Sequence, residues 1–168
     1  MIKYTPTVLI VDDEDDLRNG VKELIESRLG WAVLDARNGY EATEKIEASR
    51  SFMNLGTPKI DCVILDVNMP KQGGLDFLRE WRQNESFYEC LNVVLLTAYD
   101  EPYIWRAVCD PVYGRIIEYL IKPFDIDKLV DLLKRIVILK QGEIIAAQTR
   151  VRSYDKRLLH DKAKKAPL

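Results

Sequence analysis

Histidine is nearly absent from this chain and cysteine is sparse. The one histidine, His160, lies near the C-terminus, and Cys62, Cys90 and Cys109 are scattered without a CxxC pair or a neighbouring histidine. Zinc ligation, a disulfide framework and a Cys/His nucleophile pair therefore lack their residues, and the three thiols are expected to be reduced and structural. No apolar run approaches the roughly 20 residues of a membrane-spanning helix. The N-terminus also lacks the basic-then-apolar layout of a secretion signal, so a cytoplasmic protein with no membrane partner is the expectation.

What is present is ample material for a core. Hydrophobic residues make up 47% of 168, enough for one domain of ordinary size with a short appendage. The formal net charge of −2 hides an asymmetry: residues 126–168 carry 11 Lys/Arg against 5 Asp/Glu, and residues 1–125 carry 14 against 22. The two parts present different surfaces, and the basic one suits an acidic partner or nucleic acid.

Short apolar runs recur along the chain: TVLIV (7–11), WAVLDA (31–36), DCVILD (61–66), NVVLL (92–96) and EYLI (118–121). Their length and Val/Ile/Leu content predict strands buried on both faces of a parallel sheet. Helical patterns lie between them. Leu17, Val21, Leu24, Ile25 and Leu29 form one apolar stripe ended by Gly30, and GYEATEKIEASRS, GLDFLREWRQN and DEPYIWRAV follow the second, third and fourth runs. Strand–helix alternation repeated five times predicts an α/β fold, a doubly wound five-stranded parallel sheet with helices on both faces.

In such sheets functional groups gather at the carboxyl ends of the strands. Asp12 and Asp13 end the first run, Asp66 ends the third, Thr97 follows the fourth and Lys122 follows the fifth. All would converge on one edge. Three carboxylates crowded together need a proton or a cation to relieve their repulsion. A hard divalent ion such as Mg²⁺, taking one or two carboxylates and otherwise water or phosphate oxygens, is the natural cofactor. With a lysine and a threonine hydroxyl beside it, the set forms a receptor for a phosphoryl group, and Asp66 becomes a nucleophile able to form an acyl phosphate. Of the five consecutive acids 12–16, the first two are thus assigned to the site. Glu14, Asp15 and Asp16 are assigned to the first turn of a helix, where negative charge meets the positive end of the dipole.

The segments VLIVDDE, VILDVNMPKQGG, LLTAY and EYLIKPF together resemble the receiver domain of two-component response regulators, over about residues 6–139 and in the right order. The resemblance implies a flavodoxin-like fold and a signalling role in which a sensor histidine kinase or a phosphotransfer protein donates the phosphoryl group. It implies that Asp66 is the phospho-acceptor, that Asp12, Asp13 and Asp66 bind Mg²⁺ with the backbone carbonyl of Asn68, and that Lys122 contacts the phosphate. Thr97 then matches the switch hydroxyl, Tyr119 the switch aromatic, and Pro123 the residue after a cis peptide bond. No separate substrate is expected; the chain would take part only in its own phosphorylation and dephosphorylation. Asn68 and Tyr99, two residues beyond Asp66 and Thr97, flank the path of an attacking water, and the bulk of Tyr99 is expected to slow loss of the phosphoryl group.

Two departures from the family pattern stand out. SRSFMNLGTPK (49–59) lengthens the connection before the third strand, with Gly56 and Pro58 marking a surface loop. YDEPYIWRAVCDPVYGRIIEY (99–119) is also long. Pro102 suits a first helical turn and Pro111 would end that helix, so the fourth helix should be short or displaced. Trp81 and Trp105 lie on helical patterns and read as packing residues.

The expected division is a receiver over 1–139 and a helical extension or linker over 140–168 with a disordered end. Val130, Leu133, Val137, Lys140, Ile144, Ala147, Val151, Tyr154 and Leu158 alternate steps of three and four, a heptad seam that predicts a coiled coil and a homodimer. Gly142 weakens it. No nucleic-acid recognition module fits in the remaining residues, so direct sequence-specific DNA binding is not expected, and the signal should leave through protein contacts or through the C-terminal helix. Two rival readings exist. An aspartate-nucleophile phosphatase of the haloacid-dehalogenase type also uses Asp, Mg²⁺ and Lys, but carries a second acid where this chain has Asn68. The other rival is a binding module indifferent to phosphorylation.

Overall fold

The computed structural model describes residues 5–50, 59–85, 91–98 and 102–138. They hold five strands, β1 (Thr7–Val11), β2 (Ala32–Ala36), β3 (Cys62–Asp66), β4 (Val93–Thr97) and β5 (Ile116–Ile121). Between and after them run α1 (Asp15–Leu29), α2 (Gly39–Ala48), α3 (Gly74–Asn84), α4 (Pro102–Cys109) and α5 (Ile126–Ile138). The strands form one parallel sheet in the order β2-β1-β3-β4-β5. No helix among the described residues is long and apolar enough to cross a membrane.

The strands are apolar without alternation because both faces of the sheet are covered. Val8, Ile10, Cys62, Ile64, Val94 and Leu96 point to the side closed by α1 and α5. Their neighbours Leu9, Val11, Val63, Leu65, Val93 and Leu95 point to the side closed by α2, α3 and α4. Each large side chain buried in these two layers contributes roughly 1.5–3 kcal/mol, which sets a firm platform beneath the loops at the carboxyl edge.

Helix boundaries follow local chemistry. α1 opens on Asp15 and Asp16 and closes on Gly30, whose φ of 64° is the left-handed conformation a glycine cap supplies at little cost. α4 begins at Pro102 and stops at Cys109, and Pro111–Tyr113 form a single 3₁₀ turn in which the Asp110 carboxylate accepts from the Val112 N–H. The short fourth helix anticipated from its two prolines is therefore present. Arg82 ties that turn to α3: its guanidinium donates to the Tyr113 and Leu91 carbonyls at 2.9 and 2.7 Å and pairs with Glu85, both side chains being buried.

Several expectations need correction. β5 starts at Ile116, two residues earlier than the apolar run suggests, because a register shift opposite Val93 and Val94 absorbs an extra residue. Thr97 is the last residue of β4, paired with Ile121, and does not follow the strand. In α5, Val130 and Leu133 are buried in the domain's own core, so the first two positions of the heptad seam serve the sheet and not a second helix. Val137, the third position, is half-buried near the end of α5; the seam from Lys140 to Leu158 lies outside the described residues, as do Tyr99, Cys90, the Gly56/Pro58 stretch and the side chain of Trp105. Trp81 packs in the core as expected. Neither Cys62 nor Cys109 is in a disulfide, and burial pushes the Cys62 thiol up, away from thiolate chemistry.

Candidate functional site

The strand order reverses direction between β1 and β3, and such a switch point opens a crevice at the carboxyl edge. Asp12 and Asp13 follow β1 into that crevice and Asp66 closes β3 beside them. One carboxylate oxygen from each lies within 4.8 Å of the others. Asp12 and Asp66 are buried and Asp13 is exposed, so the cluster has a floor and an open side.

The backbone of each contributor is fixed. The Asp12 N–H donates to the Ala36 carbonyl, continuing the β1–β2 ladder one residue past its end. The Val67 N–H donates to the Leu96 carbonyl, which holds the residue after Asp66 against β4. Behind Asp66, Gly74 opens α3 so close that a Cβ there would collide with the Asp66 carbonyl oxygen, and only glycine permits that approach. On the far side, the Lys122 N–H donates to the Thr97 carbonyl at 2.7 Å, so the ends of β4 and β5 present Thr97 and Lys122 together. The Lys122–Pro123 peptide is cis.

Lys122 reaches across the crevice. Its ammonium lies 2.7 Å from Asp12 Oδ2, 3.1 Å from Glu14 Oε1 and 3.4 Å from Asp66 Oδ1. Burial alone would lower its pKa, but the hydrogen bond to Asp12 and the charges of Asp66 and Asp12, with Glu14 after them, outweigh burial and raise it. Lys122 is thus a fixed cation at working pH. Asp66 behaves differently. Burial pushes its carboxyl up to about 6, with Asp12 adding to the rise, while Lys122 and the Asn68 backbone N–H pull it part of the way back. One ammonium does not fully compensate the buried acids.

Thr97 is buried, and Tyr119 is half-buried against the α2–α4 side of the core. Strand alternation places both side chains on that same side, with Tyr119 opposite Leu95. Asn68 is exposed next to the acids. Asp12, Asp13, Asp66, Asn68, Thr97 and Lys122 are therefore brought to one edge, with Tyr119 two residues deeper along β5.

Two residues of the site went unrecognised in sequence. Glu14 reads in sequence as a helix-start acid; it does stand just before α1, but its side chain makes no cap hydrogen bond and turns to Lys122. Arg18 is buried beneath the β1–α1 loop, donating from Nη1 to the Asp12 carbonyl at 2.7 Å and pairing with Asp15. It steadies the turn that carries Asp12 and Asp13. The only signal for Arg18 is a charged residue next to the apolar Leu17 within a helical stripe.

The donor set of three carboxylates, all hard oxygen ligands with one open side, fits a hard divalent cation. The model of the response regulator receiver domain family matches residues 8–134. The chain belongs to that family. The receiver is 30% identical over 149 residues to the alkaline phosphatase synthesis transcriptional regulatory protein PhoP of Bacillus subtilis, covering 87% of this chain and 53% of that protein. It is 31% identical over 130 residues to the transcriptional regulatory protein HptR of Staphylococcus aureus, covering 77% of this chain and 46% of that one. The chain thus spans about half the length of these curated relatives. Among solved structures, the chemotaxis protein CheY4 of Vibrio cholerae superposes with a TM-score of 0.65 at 28% identity, over 79% of this chain and 99% of that one. A DNA-binding response regulator of the LuxR family from Staphylococcus aureus gives 0.62 at 27%, over 78% and 98%. The fold is the flavodoxin-like receiver fold anticipated from sequence, and the haloacid-dehalogenase reading has no support.

Proposed function

We propose that the receiver accepts a phosphoryl group on Asp66 from a phosphohistidine of a sensor histidine kinase or a phosphotransfer protein. The observation that carries this is the meeting of Asp12, Asp13 and Asp66 within 4.8 Å, with the Lys122 ammonium 3.4 Å from Asp66. In the transfer, an Asp66 carboxylate oxygen forms a bond to phosphorus while the bond from phosphorus to the donor's imidazole nitrogen breaks. The imidazole leaves with the electron pair of that bond and takes a proton from water. Asp66 must be ionised to attack, and positive charge beside it, from Lys122 at 3.4 Å and from a bound cation, favours that form. Asp12, Asp13, Asp66 and the backbone carbonyl of Asn68 would hold Mg²⁺, which when bound supplies positive charge beside the phosphoryl oxygens. Lys122 supplies the fixed positive charge on the opposite side, and Thr97 a hydroxyl at the end of β4.

Switching then follows from the shared face of Thr97 and Tyr119. Once Thr97 turns toward the phosphoryl group, Tyr119 moves into the space it leaves, and the surface of α4, β5 and α5 changes its affinity for partners. The boundaries taken are 1–139 for the receiver and 140–168 for a helical extension. The seam from Ile144 onward supports a homodimer through that extension, and direct DNA binding by this chain is not part of the reading. The protein acts on no substrate other than itself.

The test is an amide NMR titration with Mg²⁺ and beryllofluoride, a mimic of phosphorylated aspartate, followed by light scattering. The reading expects shifts at Asp66, Thr97, Tyr119 and Lys122 that vanish in Asp66→Asn, and a rise in mass. Shifts in a protein whose mass stays that of a monomer would remove the dimer, whereas a dimer mass, constant or induced, would support it. No response at all would return the protein to a binding module indifferent to phosphorylation.

A further inference from the structure

Both carboxylate oxygens of Asp12 are engaged. Its Oδ1 accepts from the Glu14 N–H at 2.9 Å and its Oδ2 accepts from Lys122 at 2.7 Å. The first of these closes the turn into α1 and is fixed by the backbone, so the oxygen with the more readily exchanged partner is the one held by Lys122. The ammonium, whose side chain is only 13% exposed, then needs another partner. Asp66 is claimed by the same cation. Glu14 is not: its Oε1 already lies 3.1 Å from Lys122, and its side chain is 62% exposed and free to follow a small movement.

We propose that Glu14 is a positioning residue, the acceptor that keeps Lys122 in place when Asp12 and Asp66 turn to a divalent cation. The inference rests on the metal reading given above and adds to it a means of exchange. Lys122 acts as the resident cation of the acid cluster, and Glu14 lets it withdraw by a short step without losing every carboxylate. A glutamate directly after the two aspartates is thus part of the site's working set and not simply a helix-start residue.

The prediction is a coupling between two side chains, read as Mg²⁺ affinity from amide shifts. Glu14→Gln should weaken Mg²⁺ binding about three- to fivefold, the scale of a partly exposed ion pair. Loss of a nearby negative charge would weaken binding too, so the decisive comparison is the same substitution made in Lys122→Met. There no ammonium needs a partner, and Glu14→Gln should change the affinity by less than about twofold, the residue of long-range charge alone. In Lys122→Arg, which keeps the cation, the larger factor should return. Thermal unfolding of each variant establishes that it is folded, and Glu14, being exposed, tolerates the change. Equal factors in the wild-type and Lys122→Met backgrounds would overturn the role of Glu14 while leaving the metal site intact. Failure of the unaltered protein to bind Mg²⁺ would overturn both.

Discussion

Replacing Asp66 with asparagine should stabilise the fold, and the size and pH range of the gain follow from the site. Asp66 is only 4% exposed and sits beside Asp12. A carboxyl that titrates near 6 in the folded protein and near its ordinary 3.8 in the unfolded chain costs the fold up to about 3 kcal/mol once both are ionised. The attraction of Lys122 is already counted in that value, and Lys122 keeps Asp12 and Glu14 when Asp66 is gone. The raised pKa fixes the sign. The folded state holds its proton more tightly, so the penalty is absent below the unfolded value, grows as pH rises between about 3.8 and 6, and is complete above. In urea unfolding with chelator present, Asp66→Asn should exceed wild type by about 1–3 kcal/mol near pH 7.5 and by about half a kcal/mol or less near pH 4. Added Mg²⁺ should narrow the difference, because it stabilises only a folded state that binds it. A variant no more stable than wild type at the higher pH, or a gain undiminished at the lower, would refute the reasoning.

Two further substitutions probe the frame of the site. Gly74→Ala places a methyl group against the Asp66 carbonyl oxygen and within 3.0 Å of Leu65 Cγ; a loss of about 3 kcal/mol is expected in urea unfolding, along with weaker Mg²⁺ binding as Asp66 is displaced. Arg82→Met takes the donor from the Tyr113 and Leu91 carbonyls and the cation from the buried Glu85 carboxylate, whose Oε1 keeps the Trp81 and Leu91 N–H groups, and should cost about 3 kcal/mol. Adding Glu85→Gln should recover part of that loss, an unmistakable departure from additivity on the scale of 1 kcal/mol or more, about the size expected of contacting residues.

The parts of this molecule that sequence discloses are those with a one-dimensional signature. Strands buried on both faces must be continuous apolar runs, so β1, β3 and β4 could be placed from composition within a residue or so. Asp12, Asp13, Asp66 and Lys122 follow from the rule that strand ends converge, which needs only the strand positions. Prolines located both ends of the short α4. What stayed hidden depends on which way a side chain turns. Glu14 reads as a helix-start acid because its neighbours are acids too, and only the distance to Lys122, 108 residues away, reveals its partner. Arg18, Arg82 and Glu85 carry no mark of burial in sequence, because a charge that turns inward looks the same there as a solvated one. The register shift opposite Val93 and Val94 that starts β5 early at Ile116 leaves no mark in the apolar pattern. The heptad reading erred at its first two positions for a similar reason, since Val130 and Leu133 satisfy a core stripe and a coiled-coil seam equally well.

Everything proposed for this receiver depends on Asp66 taking the phosphoryl group. Incubation with acetyl phosphate, with and without Mg²⁺, followed by intact mass and by peptide mapping after borohydride reduction, tests it most directly. A gain of one phosphoryl group that requires Mg²⁺, maps to Asp66 and disappears in Asp66→Asn is expected. A gain that persists in Asp66→Asn, or no gain at any donor concentration while Mg²⁺ binds, would contradict it.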